Sequence, residues 1–166
     1  MNNEVKNRLE VAEKILLTYE KESDALAGFV FGSVGYGFAD KYSDLEIGII
    51  WKEVPEKDEL KDLSIKANGT AWIFEGLHEQ KLSTGDAYQV DGLQVELAHW
   101  PIDTLESIIR EVVVECNTVK NRWLYERQAT LAMLQRGKVI FGENIICNLR
   151  AKISEYPQKL SEKMVE

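Results

Sequence analysis

Three acidic side chains and one glycine-serine pair carry the chemistry legible in this 166-residue chain. Asp44 and Glu46 stand two apart in Ser43-Asp44-Leu45-Glu46-Ile47-Gly48-Ile49, a segment that alternates as a strand does. Side chains alternate across a strand, so both carboxylates project from one face while Leu45, Ile47 and Ile49 project from the other and can be buried. Acids held in this way suit a hard divalent cation such as Mg²⁺, which takes oxygen ligands and usually arrives with a polyphosphate. Upstream, the apolar run 26–31 breaks into Gly32-Ser33, where glycine permits close backbone approach and the turn offers a hydroxyl and backbone N–H groups to phosphate oxygens. A third acid, Glu96, lies in Leu93-Gln94-Val95-Glu96-Leu97-Ala98-His99, with Leu93, Val95 and Leu97 on one side and Gln94, Glu96 and Ala98 on the other. Singly, these features are commonplace, since a wet strand face often shows alternate acids and Gly-Ser is an ordinary turn. The informative feature is their order: buried strand, Gly-Ser, ten residues, Asp-x-Glu, then a one-sided strand with another acid.

The elements that must position them follow from periodicity. Residues 3–21 carry Val5, Leu9, Val11, Ala12, Ile15, Leu16 and Tyr19 at three- and four-residue spacing, which predicts an amphipathic helix. A strand over 26–31, the glycine turn and a strand over 44–51 follow. Residues 52–70 are polar, with Pro55 and Asn68-Gly69, and read as a surface excursion containing one helix near 56–66. Short strands are expected over 71–74 and 87–90, and Asp91-Gly92 signals a two-residue hairpin into the Glu96 strand. Pro101 suits a first helical turn, and 102–115 keep a helical period. A helix over 118–136 ends at Gly137, Val139–Phe141 forms a short apolar extension, and a last helix starts at Asn144. Residues 152–166 are amphipathic and charged. The division expected is a catalytic domain over 1–115 and a helical extension over 116–166.

Composition narrows the function classes. Lysine and arginine number 20 against 28 acids, for a formal net charge of −8. A surface so acidic repels a nucleic-acid backbone, and no dense basic run relieves it, so polymeric nucleic acid is not the expected partner. Cys116 and Cys147 lack metal-ligand spacing and are read as buried thiols. The first thirty residues do not read as a secretion signal, no apolar run reaches bilayer length, and a cytoplasmic protein without a membrane partner is expected.

On Phe31-Gly32-Ser33, the ten-residue gap, Ser43-Asp44-Leu45-Glu46-Ile47 and Val95-Glu96-Leu97, the chain resembles the nucleotidyltransferase superfamily that includes DNA polymerase β. Ser-Asp-x-Glu with the later Val-Glu is most similar to the kanamycin (aminoglycoside) nucleotidyltransferases. The likeness covers roughly residues 3–110. It implies an α+β fold, a small mixed sheet packed with helices, followed by a helical C-terminal extension. It further implies that Asp44, Glu46 and Glu96 are catalytic and hold Mg²⁺, and that Gly32, Ser33 and Ser43 sit against an ATP (or other nucleoside triphosphate) co-substrate. Many relatives have arginine three residues after the serine. Tyr36 stands there in this chain, and Lys41 is the candidate for that phosphate contact.

The reaction implied is transfer of a nucleoside monophosphate, AMP from ATP in the first instance, to a hydroxyl of a small acceptor such as an aminoglycoside-like antibiotic. Transfer to a protein side chain, as in small toxin-antitoxin members, and a catalytically idle nucleotide-binding domain are the alternatives. Outside the motif, His99 shares parity with the apolar side and is read as a hydrogen-bonded core or rim residue. Glu111, Glu115 and Glu126 could supply a base, Arg122 and Arg127 could close on a triphosphate, and Trp72, Trp100 or Trp123 could stack on a nucleobase, although all suit ordinary helix or core roles. The apolar face of 102–136 is compatible with a homodimer.

Overall fold

A computed structural model describes residues 2–116 and 124–153. The chain opens with α1 (Asn3–Glu22), whose start is fixed by the Asn2 side chain accepting the Val5 N–H at 2.8 Å. Its apolar stripe from Val5 to Tyr19 is buried, as the spacing predicts. There follow β1 (Ala27–Phe31), the single turn α2 (Gly32–Gly35), β2 (Leu45–Trp51), α3 (Lys57–Lys66), β3 (Thr70–His78), β4 (Ser83–Val90) and β5 (Leu93–Pro101). Then come α4 (Ile102–Ile109), which widens into a π-helical turn over Arg110–Val114, α5 (Leu124–Arg136), β6 (Lys138–Phe141) and α6 (Glu143–Ile153).

The six strands form one mixed sheet in the order β3-β4-β5-β2-β1-β6, with β2 and β5 parallel and every other pair antiparallel. The fold class is therefore α+β, as expected. One face buries Leu45, Ile47, Ile49, Val95 and Leu97 against α1 and α3. The other packs Phe29, Phe31, Ile50 and Trp100 against α4, α5 and α6. Glu46 and Glu96 lie on that second face, Glu46 half-buried against the Gly32 turn and Glu96 exposed.

Two expectations about extent were too short. β3 and β4 run nine and eight residues rather than four each, because Gly76, Gly85, Ser83 and Thr84 look loop-like in sequence yet are paired across the two strands. Val139–Phe141 belongs to β6, which pairs with β1 and so joins residues beyond 115 to the same sheet. The Asp91-Gly92 hairpin is present, with both residues at positive φ. Cys116 is buried, whereas Cys147 is exposed, on the outward side of α6, whose inward side carries Ile146, Leu149 and Ile153. Arg122, Trp123 and the tail from residue 154 lie outside the described residues.

Beneath the sheet, on the face opposite the acids, runs a buried polar chain. The Trp51 indole N–H donates to His99 Nδ1 at 3.1 Å, so the other ring nitrogen carries the proton and donates to Asp86 Oδ1 at 2.9 Å. The Trp72 N–H donates to Asp86 Oδ2 at 2.6 Å. His99 and Asp86 are both 0% exposed. The core reading of His99 is thus borne out.

Candidate active site

β1 is apolar throughout and buried, and it ends where Gly32 turns the chain at φ +59° into α2. That conformation suits glycine, and space requires it too, since a Cβ at residue 32 would fall within the Glu46 carboxylate. Glu46 faces Phe31 across the β1–β2 pair, and its carboxylate lies against the Gly32–Ser33 bend. Gly32→Ala should therefore lower stability by about 1–3 kcal/mol through strain and overlap, readable in a urea melt. An unchanged melt would mean that the bend relaxes freely.

The acids form a row across adjacent strands. Glu46 and Glu96 are register partners in the parallel β2–β5 pair, strands that lie roughly 4.8 Å apart. Asp44, immediately before β2, is exposed and close enough to raise the proton affinity of both. Burial pushes the Glu46 carboxyl up from its usual range, and the Glu96 charge adds to this. Glu96 is likewise pushed up by desolvation and then by Asp44 and Glu75. The Lys81 charge opposes the rise at both.

Raised carboxyls have a defined stability signature. The unfolded chain holds fewer protons than the folded one between the ordinary value of 4.5 and the raised folded values, so these two groups weaken the fold as pH climbs through that window. In EDTA, Glu96→Gln should melt higher than the unsubstituted protein at pH 8, with the gap closing towards pH 4.5. A variant that melts lower at every pH would show that no such repulsion exists.

As the side chains stand, no three acidic, histidine or cysteine groups among the described residues are close enough to make a ready cation cluster. Backbone register brings the three acids to one face, but the Glu46 carboxylate is turned to the Gly32–Ser33 bend. The donors are nonetheless all hard oxygens in excess negative charge, which is the chemistry a divalent cation relieves.

The remaining candidates are placed as follows. Ser43 is tied into a local turn, its hydroxyl donating to Asp40 Oδ1 at 3.0 Å and accepting the Asp40 N–H at 2.9 Å. Its carbonyl accepts Nε of the buried Arg8 at 2.9 Å, which pins the residue before Asp44. Lys41 is exposed, with its ammonium 4.7 Å from the Tyr42 ring centre. Trp100 is buried and donates to the Lys81 carbonyl, and Trp72 is committed to Asp86, so neither is free to stack on a base. Glu111 pairs with Arg127 and Glu115 with Arg110, the ordinary helix roles.

Two neighbours of the acid row, Glu75 and Lys81, had no signal in the sequence, nor had Arg136 beside Tyr36. A bulge at Glu75 lets it pair with His78 at 3.0 Å above side-chain-less Gly85, on the acid face. Lys81 lies in the β3–β4 turn, whose backbone is drawn to that face by the Trp100 indole. Arg136, the last residue of α5, holds its guanidinium 4.9 Å from the centre of the Tyr36 ring. A cleft of about 380 Å³ adjoins Asp44, lined by Asn7, Lys41, Tyr42, Ser43 and Gln94 among others. A larger one, about 810 Å³, lies at the Trp51 end of β2 and away from the acids.

No protein-family model matches the chain, and no curated protein matches it. Among solved structures it is similar to a cytoplasmic RNA terminal U-transferase, at 16% identity and TM-score 0.46, over 80% of this chain and 39% of that one. It is similar to the Cid1 poly(U) polymerase with Mg and 3′-dATP bound, at 14% identity and TM-score 0.47, over 81% of this chain and 49% of that one. A nucleotidyltransferase-like protein from Exiguobacterium sibiricum 255-15 is similar at 12% identity and TM-score 0.47, over 90% of this chain and 39% of that one. The chain thus spans less than half the length of each.

Proposed function

We propose that the chain is a metal-dependent nucleotidyltransferase that moves a nucleoside monophosphate, AMP from ATP in the first instance, to an acceptor hydroxyl and releases pyrophosphate. The observation that carries this reading is the Glu46–Glu96 register on adjacent parallel strands, with Asp44 two residues earlier, against the Gly32–Ser33 bend. Asp44, Glu46 and Glu96 would hold Mg²⁺, which supplies charge neutralisation and polarisation at the phosphorus under attack. With the Glu46 carboxylate turned away from the bend, the Ser33 N–H would be open to a phosphate oxygen, and Gly32, lacking a Cβ, would leave room for that approach. The cleft beside Asp44 is the seat for the acceptor. An acidic surface favours a small or cationic acceptor, an aminoglycoside-like polyol amine being of that kind, over a polyanion.

One observation favours a second reading. The Glu46 carboxylate already occupies the bend, as it would in a domain that binds nucleotide without turning it over. Pyrophosphate release from each Mg-nucleoside triphosphate, measured over aminoglycosides, lincosamides, a short RNA with a free 3′ end and a protein extract, separates these. Release that depends on a small hydroxyl acceptor is expected. Release with RNA alone, or labelling of protein alone, would move the acceptor to that class. Activity no different from Asp44→Ala with every acceptor would leave the idle reading.

A further inference from the structure

Glu46 and Glu96 are placed by the sheet, but Asp44 is not. β2 is paired with β1 only as far as Glu46 and with β5 only as far as Leu45, so the ladder stops one residue short of the third acid. What fixes its peptide comes from α1. The Arg8 Nε–H donates to the Ser43 carbonyl at 2.9 Å, and that carbonyl shares one rigid peptide plane with the Asp44 N–H. From the cap of the same helix, the Asn2 side-chain amide donates to the Ala39 carbonyl at 2.9 Å. Between these two ties the chain closes on itself, Asp40 accepting the Tyr42 N–H and the Ser43 hydroxyl. Arg8 is only 7% exposed, its Nη1 is paired with Glu4, and it lines the cleft beside Asp44 together with Ser43. A buried guanidinium adds less to stability than a well-packed apolar side chain of similar volume. Stability alone does not call for arginine there.

We propose that Arg8 is a positioning residue for Asp44, which through the Ser43–Asp44 peptide holds the third carboxylate where a divalent cation is shared with Glu46 and Glu96. The inference rests on the nucleotidyl-transfer reading and adds the group that completes the acid row. The two glutamates keep their relative height by strand register, whereas an aspartate beyond the end of the ladder keeps its place only if its backbone is tied elsewhere. Arginine suits that task. Its guanidinium is planar, so with Glu4 on Nη1 and the Ser43 carbonyl on Nε the donor cannot rotate away from either partner. Groups that hold a metal's ligands change affinity for the metal although they never touch it. The first turns of α1 thereby become part of the catalytic apparatus.

Titration of the full chain with Mn²⁺ and a nonhydrolysable ATP analogue, read by the enhanced water-proton relaxation of protein-bound Mn²⁺, tests this without turnover. Arg8→Met keeps an unbranched apolar stem and removes the donor, and it should weaken Mn²⁺ binding about tenfold. Asn2→Ala is the control for mere loosening. It removes the helix cap and the tie at Ala39 and so lowers the melting temperature, yet it should leave Mn²⁺ affinity within about twofold, because the Ser43–Asp44 peptide is still held. Arg8→Lys, which offers the carbonyl a rotatable point donor, should lie between the two, and it decides the matter if a thermal melt shows Arg8→Met unfolded. If the unsubstituted protein binds Mn²⁺ and the folded Arg8 variants bind it equally well, or Asn2→Ala loses as much as they do, Arg8 does not position Asp44 and nucleotidyl transfer stands. If the unsubstituted protein binds no Mn²⁺, both readings fall together.

Discussion

Asp44→Asn should reduce pyrophosphate release by about a hundredfold to a thousandfold at saturating Mg·ATP and acceptor, the scale on which removing a group that stabilises developing charge lowers a rate. The substitution keeps side-chain shape and removes one negative charge from a row of three. Asp44 is exposed and precedes β2, so the fold does not depend on it. The melting temperature should hold or rise while activity disappears. Glu96→Gln should behave alike, combining higher metal-free stability with loss of turnover, the exchange expected where a site concentrates like charge for chemistry. A rate reduced less than about tenfold in Asp44→Asn would remove the acid row from the chemistry.

The second large effect is on stability and lies on the other side of the sheet. Asp86→Ala removes the acceptor of two N–H donors, from the buried His99 and the half-buried Trp72, and leaves both without partners. Each such orphan costs about 1–3 kcal/mol, so the variant should lose about 3 kcal/mol. For a domain of this size that corresponds to a melting temperature lower by roughly 10 °C. His99→Phe should cost a comparable amount, because it strands the Asp86 carboxylate and the Trp51 N–H together. The two losses should be strongly non-additive in the double variant, since each breaks the same chain. A loss under about 1 kcal/mol for Asp86→Ala would mean that water replaces the missing oxygens.

The parts of the fold legible in the sequence are those where local pattern and burial agree. α1 shows its stripe, β1 its continuous apolar run, β5 its alternation and the Asp91-Gly92 turn its chemistry. The acid row was legible for the same reason, because strand parity alone puts Asp44 and Glu46 on one side. That Glu96 would lie level with Glu46 was implied by family likeness and not by periodicity, since register between distant strands is a tertiary property. β3 and β4 were cut short because glycines at 76 and 85 and several polar residues are tolerated there by cross-strand pairing. Asp86 gave no sign of its role, since its partners come from β3 and β5. Lys81 and Arg136 are ordinary surface cations in sequence, and only the Trp100 and Tyr36 contacts show where they lie. Arg8 is hidden similarly, a charged residue on α1 buried to hold the Ser43 carbonyl.

The most direct test of the central claim is the position of Mn²⁺, located by its anomalous scattering in a crystal grown with a nonhydrolysable ATP analogue. Manganese substitutes for magnesium among oxygen ligands and is directly identifiable. It should lie between the carboxylates of Asp44, Glu46 and Glu96, with Glu46 swung away from the Gly32–Ser33 bend. Manganese absent from that place, with analogue bound and Glu46 still on the bend, would contradict the assignment.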